Sequence, residues 1–360
     1  MPPPPSGPPP PPPPPGPLPP PPPPPGPPPP SPPPPAIPLI RPEIPGYMLV
    51  PGMAQQMGIA SVGTFHKRFG DQGLLNNSGK VDGAWMRVFG STHEQQWNSS
   101  IPSLSYQLAP KIDGQIWGLQ TGLDLFATDN AVGQSRAGIF YTHTEGSGTV
   151  YGNTLAAYGV RDGKFLLQGE GIGGYWTFVG DAGWYLDAVT NYTWLRGGAS
   201  SDRKIGAAID GGAFAASIEA GIPLAITKGW TIEPQGQVIA QRISPGSTND
   251  QFSRIDYGSF NAVTGRLGVR MENNTVISGM PWQTFVSVDL WHNFSSTADV
   301  IFNDRNVIAS LGGSSLGVRG GASVKVTSNI SAFGAIEYTT NVDGEMRRGI
   351  GGNAGFRFKW

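Results

Sequence analysis

The chain has 360 residues, of which 24 are basic and 25 acidic, and charged side chains make up only 14% of it. Such a balance leaves no electrostatic footprint for nucleic acid, and the lack of any cysteine excludes disulfides and thiolate metal sites. No apolar run reaches roughly 18 residues, which rules out a transmembrane helix on length and leaves a barrel of strands open.

Met1 is followed directly by polyproline, with neither a basic nor an apolar stretch of the kind a secretory signal needs. The expectation is therefore a fragment of a longer protein, rather than an engineered product or a misassigned start. Of the 38 prolines, 31 fall in the first 45 positions. Pro2 to Pro35 is interrupted only by Ser6, Gly7, Gly16, Leu18, Gly26 and Ser31. Because proline fixes φ and lacks a donor, this segment is expected as polyproline II, reaching roughly 105 Å at about 3.1 Å per residue. A semi-rigid spacer is the plain reading of 1–45, without secondary structure of its own. A displayed ligand for aromatic-lined polyproline grooves is the sharper one.

Residues 46–80 carry no period-two alternation. The run from Gly46 to Gly70 ends on His66, Lys67 and Arg68, a helix C-terminus signal. Gly46, Gly52, Gly58, Gly63 and Pro51 weaken a helix in water, yet small residues suit one that passes through a narrow lumen. A helix over 52–69 would be roughly 27 Å long, close to the bilayer core. Met53, Met57, Thr64, His66, Lys67 and Arg68 are its candidate pore-lining side chains. The alternative is an ordinary helix packed on a soluble domain. Arg41 and Glu43, near the linker, are read as solvated surface charges without a role.

From 81 onward short alternating segments are separated by Gly, Asn, Asp and Ser clusters. Twelve strands are expected, near 82–94, 112–126, 135–145, 165–179, 183–196, 212–225, 230–243, 260–271, 281–295, 313–326, 330–341 and 348–360. In the fifth, Trp184, Leu186, Ala188, Tyr192 and Trp194 alternate with Asp187 and Asn191; in the seventh, Trp230, Ile232, Val238 and Ala240 alternate with Glu233, Gln235, Gln237 and Gln241. The ninth sets Trp282, Val286, Val288, Leu290 and Phe294 against Gln283, Ser287, Asp289 and Asn293, with Phe285 and Trp291 on the polar side. A soluble sandwich has no need of such polar rows. A transmembrane barrel does, with aromatic girdles on its lipid face and charges such as Arg87, Asp187, Glu219, Glu233, Arg266, Asp289, Arg319, Lys325 and Glu337 in its lumen. Long connections at 95–111, 146–164, 197–211, 244–259 and 296–312 alternate with short ones. An even strand count then puts both barrel termini on the short-turn side.

The last segment, GIGGNAGFRFKW, places Ile350, Gly352, Ala354, Phe356, Phe358 and Trp360 on one face, opposite Gly349, Asn353, Arg357 and Lys359. It resembles the closing strand of bacterial outer-membrane β-barrels, which ends in Phe or Trp.

From about Arg41 the chain also resembles the C-terminal translocator domain of monomeric autotransporters (type Va secretion). The resemblance is carried by RPEIPGYMLVPGMAQQMG, GTFHKRFGDQ, WMRVFGS, GWYLDAV, SIEAGIPLAI, GWTIEPQGQV and the terminal FRFKW. It implies an all-β fold, a twelve-stranded antiparallel outer-membrane barrel with an α-helix in the pore. It also implies an upstream passenger exported to the cell surface, with outer-membrane lipid, periplasmic chaperones and the barrel-insertion machinery as partners. Phe356, Phe358 and Trp360 match the assembly signal that machinery reads. Absence of cysteine suits transit through an oxidising periplasm. Some members cut their own helix at an Asn pair; aligned on KRFGD, that place holds Gly63 and Thr64 here, while Asn76 and Asn77 lie beyond it. No asparagine-mediated self-cleavage is expected.

Other chemistry is not apparent. His66, His93, His143 and His292 show no metal-ligand spacing, and no nucleophile elbow accompanies them. The GEGIGG run at 169–174 leads into a strand rather than a helix, so it cannot cradle a phosphate as a dinucleotide loop does. Neither a cofactor nor an enzymatic activity is expected. The functions in competition are an outer-membrane anchor and translocator, a surface protein displaying its proline tract, and a diffusion porin in which lumen charges select ions.

Overall fold

The structure is a computed structural model that describes residues 37–70, 83–294, 297–344 and 346–359, together with Gly7, Pro11 and Gly16. Two helices open the described chain, α1 (Glu43–Val62) and α2 (Phe65–Phe69). Pro42, whose fixed φ suits a helix start, precedes α1; Gly63 ends it at φ 59°, a conformation that L side chains avoid. Helix α1 thus begins nine residues before the 52 that composition suggests and breaks before α2 starts. The interior Pro51 costs one backbone hydrogen bond and is tolerated because the helix is held on its sides instead.

Twelve long strands follow: β1 (Gly83–Gln96), β4 (Lys111–Asn130), β5 (Gly133–Thr154), β6 (Ala157–Gly180), β7 (Tyr185–Ser201), β8 (Gly206–Gly221), β10 (Trp230–Ser244), β13 (Phe260–Ile277), β14 (Met280–Phe294), β17 (Gly313–Lys325), β18 (Ile330–Gly344) and β19 (Met346–Lys359). Each pairs antiparallel with the next, and β19 pairs with β1 from Gly83↔Lys359 to Gln96↔Met346, which closes the barrel and leaves no free edge. All twelve expected strands are present. Among the described residues, seven shorter strands lie in the connections: β2 (Asn98–Ile101), β3 (Tyr106–Gln107), β9 (Leu224–Thr227), β11 (Ser247–Asn249), β12 (Arg254–Asp256), β15 (Thr297–Phe302) and β16 (Arg305–Ser310). Six of these form a second sheet in the order β11-β12-β15-β16-β2-β3, assembled from three connections far apart in sequence.

Three of the expected long loops are therefore ordered strands. The stretch 146–164 is not a loop either: β5 and β6, of 22 and 24 residues, run on as one hairpin that turns only at Leu155 and Ala156. A bilayer needs about 9–11 residues per strand, so roughly half of this hairpin stands clear of the lipid. Alternation along it simply continues beyond the membrane.

The two faces of the wall differ as the sequence pattern requires. Trp194, Ile218, Val238, Leu267, Val288 and Ile336 are exposed on the outside, whereas Asp187, Asn191, Gln237, Gln241, Arg266 and Asp289 are buried inside. An apolar exterior over a polar interior inverts the arrangement of a soluble domain and is that of a transmembrane barrel.

Candidate functional site

The pore is the candidate site, and helix α1 runs through it against β4 to β8 and β10. Beyond Glu43 its N-terminal half is largely apolar. Tyr47, Met48, Leu49 and Met53 join Trp97, Ile101, Leu108, Ile255, Val300 and Phe302 in a core roofed by the second sheet. Fit is close enough to dictate residue size: a Cβ on Gly52 would stand 2.4 Å from Cε2 of Trp97. Met57 lies with Met53 against Gly146 of the wall.

Toward the other end the helix is held by polar groups. Arg87 donates to the carbonyls of Ala60 at 2.9 Å, Ser61 at 3.3 Å and Lys67 at 3.3 Å, placing a cation where the helix dipole is negative. Gln120 donates to Ser61 O at 2.6 Å and Gln237 to Gly63 O at 2.7 Å, so carbonyls freed by the break are satisfied from the wall. Helix α2 then starts with Thr64 accepting from the Lys67 N–H at 3.2 Å, while Glu219 accepts from the Phe65 N–H at 2.9 Å. Its basic side chains each meet a wall carboxylate. His66 lies 2.8 Å from Glu233, Lys67 2.5 Å from Glu337, and Arg68 2.5 Å from Asp187.

The wall carboxylates are tied to one another through arginines. Arg266 joins Glu219 at 2.9 Å and Asp289 at 2.5 Å, and Arg319 packs over the Phe285 ring with its guanidinium 4.9 Å from the centroid. Asp124 collects Arg136, Arg357 and the Tyr175 hydroxyl, linking β4, β5, β6 and β19 across the seam. The expected lumen set Arg87, Asp187, Glu233, Arg266, Asp289, Arg319 and Glu337 is thus brought to one interior, as are Met53, Met57, His66, Lys67 and Arg68 on the helices and Thr64 in the break between them. A cavity of about 140 Å³ remains between the helix and β1, β14, β18 and β19, lined by Gln56, Arg87, His93, Trp291, Glu337 and Arg347.

Arg41 and Glu43 are not idle surface charges. Glu43 is buried and receives both its oxygens' partners from Arg203, at 2.9 and 3.0 Å. Asp250 accepts from Arg41 at 3.1 Å, the Tyr47 hydroxyl at 3.1 Å and the N–H groups of Phe252 and Ser253. Burial raises the Asp250 carboxyl, but those two N–H groups, Arg41 and Tyr47 outweigh it and hold it below the usual range. Nothing local in the sequence marks these partners, because Arg203 and Asp250 sit in connections some 160 and 200 residues away.

Phe356 and Phe358 face outward from β19, 44% and 41% exposed, while Arg357 between them is buried. Trp360, the third residue of that expected signal, lies outside the described residues, as do Asn76 and Asn77.

A family model described as the Autotransporter beta-domain matches residues 84–337. The chain belongs to the autotransporter beta-domain family. This beta-domain is 28% identical over 260 residues to the BrkA autotransporter of Bordetella pertussis, covering 69% of the chain and 23% of that protein. It is 26% identical over 317 residues to the pertactin autotransporter of Bordetella bronchiseptica, covering 86% and 32%. The crystal structure of the transport unit of the autotransporter AIDA-I from Escherichia coli superposes with a TM-score of 0.63 at 19% identity, covering 89% of this chain and 99% of that one, which shows a shared fold. The beta-domain spans less than a third of the length of these two relatives. Its place is the Gram-negative outer membrane.

Proposed function

We propose that this beta-domain anchors an autotransporter in the outer membrane and exports an upstream passenger to the cell surface, after which α1 and α2 stay behind as the plug. One observation carries the reading. The chain enters at the loop end, where Arg41 meets Asp250, threads the lumen, and reaches β1 at the opposite end, where Gly83 pairs with Lys359. The first described residues, 37–41, therefore lie at the loop side, the extracellular side in outer-membrane barrels, which supports export in that direction.

The barrel contributes no bond chemistry in this reading. A closed sheet satisfies its backbone within lipid, and the polar lumen offers a hydrated path. Residues 1–45 act as a spacer between passenger and barrel, residues 46–80 as linker and plug, and 81–360 as the translocator. Partners are outer-membrane lipid, periplasmic chaperones, the passenger and the insertion machinery, for which Phe356, Phe358 and Trp360 form the signal. With Gly63 and Thr64 at the break, the helix stays uncut by asparagine chemistry. The test is an epitope fused ahead of Met1, behind a secretory leader, in a Gram-negative host. Surface labelling and removal by external protease support export; an epitope protected until the outer membrane is broken contradicts it.

A further inference from the structure

Where α1 meets the loop end, one carboxylate stands outside the ion-pair scheme. Asp162 of β6 is 1% exposed; its Oδ1 accepts from Thr154 Oγ1 at 2.5 Å, and its Oδ2 has no hydrogen-bond partner. The residue lies near the hairpin turn at Leu155 and Ala156, in the half of the hairpin that stands clear of the lipid. The first turn of the helix rests against it. A Cβ on Gly152 would come within 2.4 Å of Pro45 Cγ and 2.9 Å of Asp162 Oδ2, so helix and carboxylate both pack against this one glycine of the wall.

The charged groups facing Asp162 come from three elements. Glu43 belongs to α1, Asp202 and Arg203 to the turn between β7 and β8, and Arg41 to the segment ahead of α1. The cations here are engaged with those carboxylates and none bonds Asp162: Arg203 holds Glu43, Arg41 stands 3.9 Å from it, and Arg161 pairs with Asp202. Asp162 therefore faces two carboxylates, with a single hydroxyl for compensation. We propose that Asp162 is a proton-operated latch for the pore helix: protonated, it lets the first turn of α1 seat beside Glu43; ionised, it repels Glu43 and loosens the outer end of the helix.

Burial pushes the Asp162 carboxyl up to about 7, against the pull of the Thr154 hydroxyl and with the added push of Glu43 and Asp202. The sign follows from linkage. A carboxyl raised in the seated state holds its proton there to higher pH than in the loosened state, so seating is favoured at low pH and lost as pH rises through about 7. With an ordinary carboxyl in the loosened state, the loosened-to-seated ratio grows roughly thirty-fold between about pH 5.5 and about pH 8.5.

The experiment records transient openings of the 360-residue chain in planar bilayers across that range. The wild type is expected to open more often by about an order of magnitude or more, with a midpoint near neutrality. Asp162→Asn, which fixes the neutral form, is expected to stay quiet throughout; Glu43→Gln, which removes the facing charge, is expected to move the midpoint to lower pH. A flat wild-type response, or an undiminished rise in Asp162→Asn, overturns the proposal. Should Asp162→Asn fail to fold, the Glu43→Gln midpoint decides, since titration of a distant histidine would leave it in place.

Discussion

Nη2 of Arg87 donates to the Ala60 carbonyl at 2.9 Å, joining the first barrel strand to the C-terminal turn of the helix it encloses. A charge-assisted bond of this kind is worth about 1.5–3 kcal/mol, and the cation also complements the helix dipole. Arg87→Met should thus weaken seating of α1 by about 2–3 kcal/mol while the wall stays closed. Hydrogen exchange at residues 59–64 should quicken by about two orders of magnitude in that variant, with β1 amides unchanged. Equal protection in both proteins would remove Arg87 from this role.

The Arg68–Asp187 pair makes a second case. Both side chains are essentially inaccessible, at 0% and 1%. Losing one partner of a buried pair costs about 3–5 kcal/mol because the other charge is stranded, whereas replacing both can be nearly neutral. Arg68→Met should lower the urea midpoint of helix release clearly, and the double variant Arg68→Met with Asp187→Asn should recover most of the loss. Additive losses would mean that the two residues act separately.

Steric fit supplies a third. Gly52→Ala places its Cβ 2.4 Å from the Trp97 ring and should cost about 1–3 kcal/mol as an overpacked contact. Trp97→Leu in the same chain should return part of that stability, giving a coupling energy in a double-mutant cycle. Independent effects would place Trp97 away from the helix.

Much of this was readable in the sequence, and the reasons are physical. Twelve strands were visible because lipid outside and water inside force alternation residue by residue, as Tyr192 and Trp194 against Asn191 show. The lumen set from Arg87 to Glu337 followed from the same parity. Helix α1 was harder: it is buried on all sides, so no apolar stripe marks its length, and its true start at Glu43 was masked by charges that look solvated. Its partners Arg203 and Asp250 are met only through tertiary folding. Strands β2, β11, β12, β15 and β16 were hidden for a related reason, being too short to announce a period.

The outward face yields a prediction of its own. Leu267 is 70% exposed on β13, and on a lipid-facing wall an arginine there costs about 2–4 kcal/mol near the midplane. Leu267→Arg should depress refolding into bilayers, while Leu267→Val should be nearly silent. Tolerance of the arginine would argue against lipid on this face.

Acid should act on the outer clasp in the opposite sense to Asp162. Asp250 is held below the ordinary carboxylate range by the bonds of its seated state, so its contribution is present above that range and fades as pH falls through its depressed value. Cross-peaks or exchange rates reporting residues 41–47 should therefore be stable in mild acid and change only in strong acid. Asp250→Asn should remove that acid step.

The central claim is that the helices close the barrel. Conductance of the refolded 360-residue chain in planar bilayers, set beside a version lacking residues 1–70, tests it most directly. Low conductance that rises sharply on deletion is the predicted result; equal, high conductance in both would contradict the plug and return the barrel to a diffusion pore.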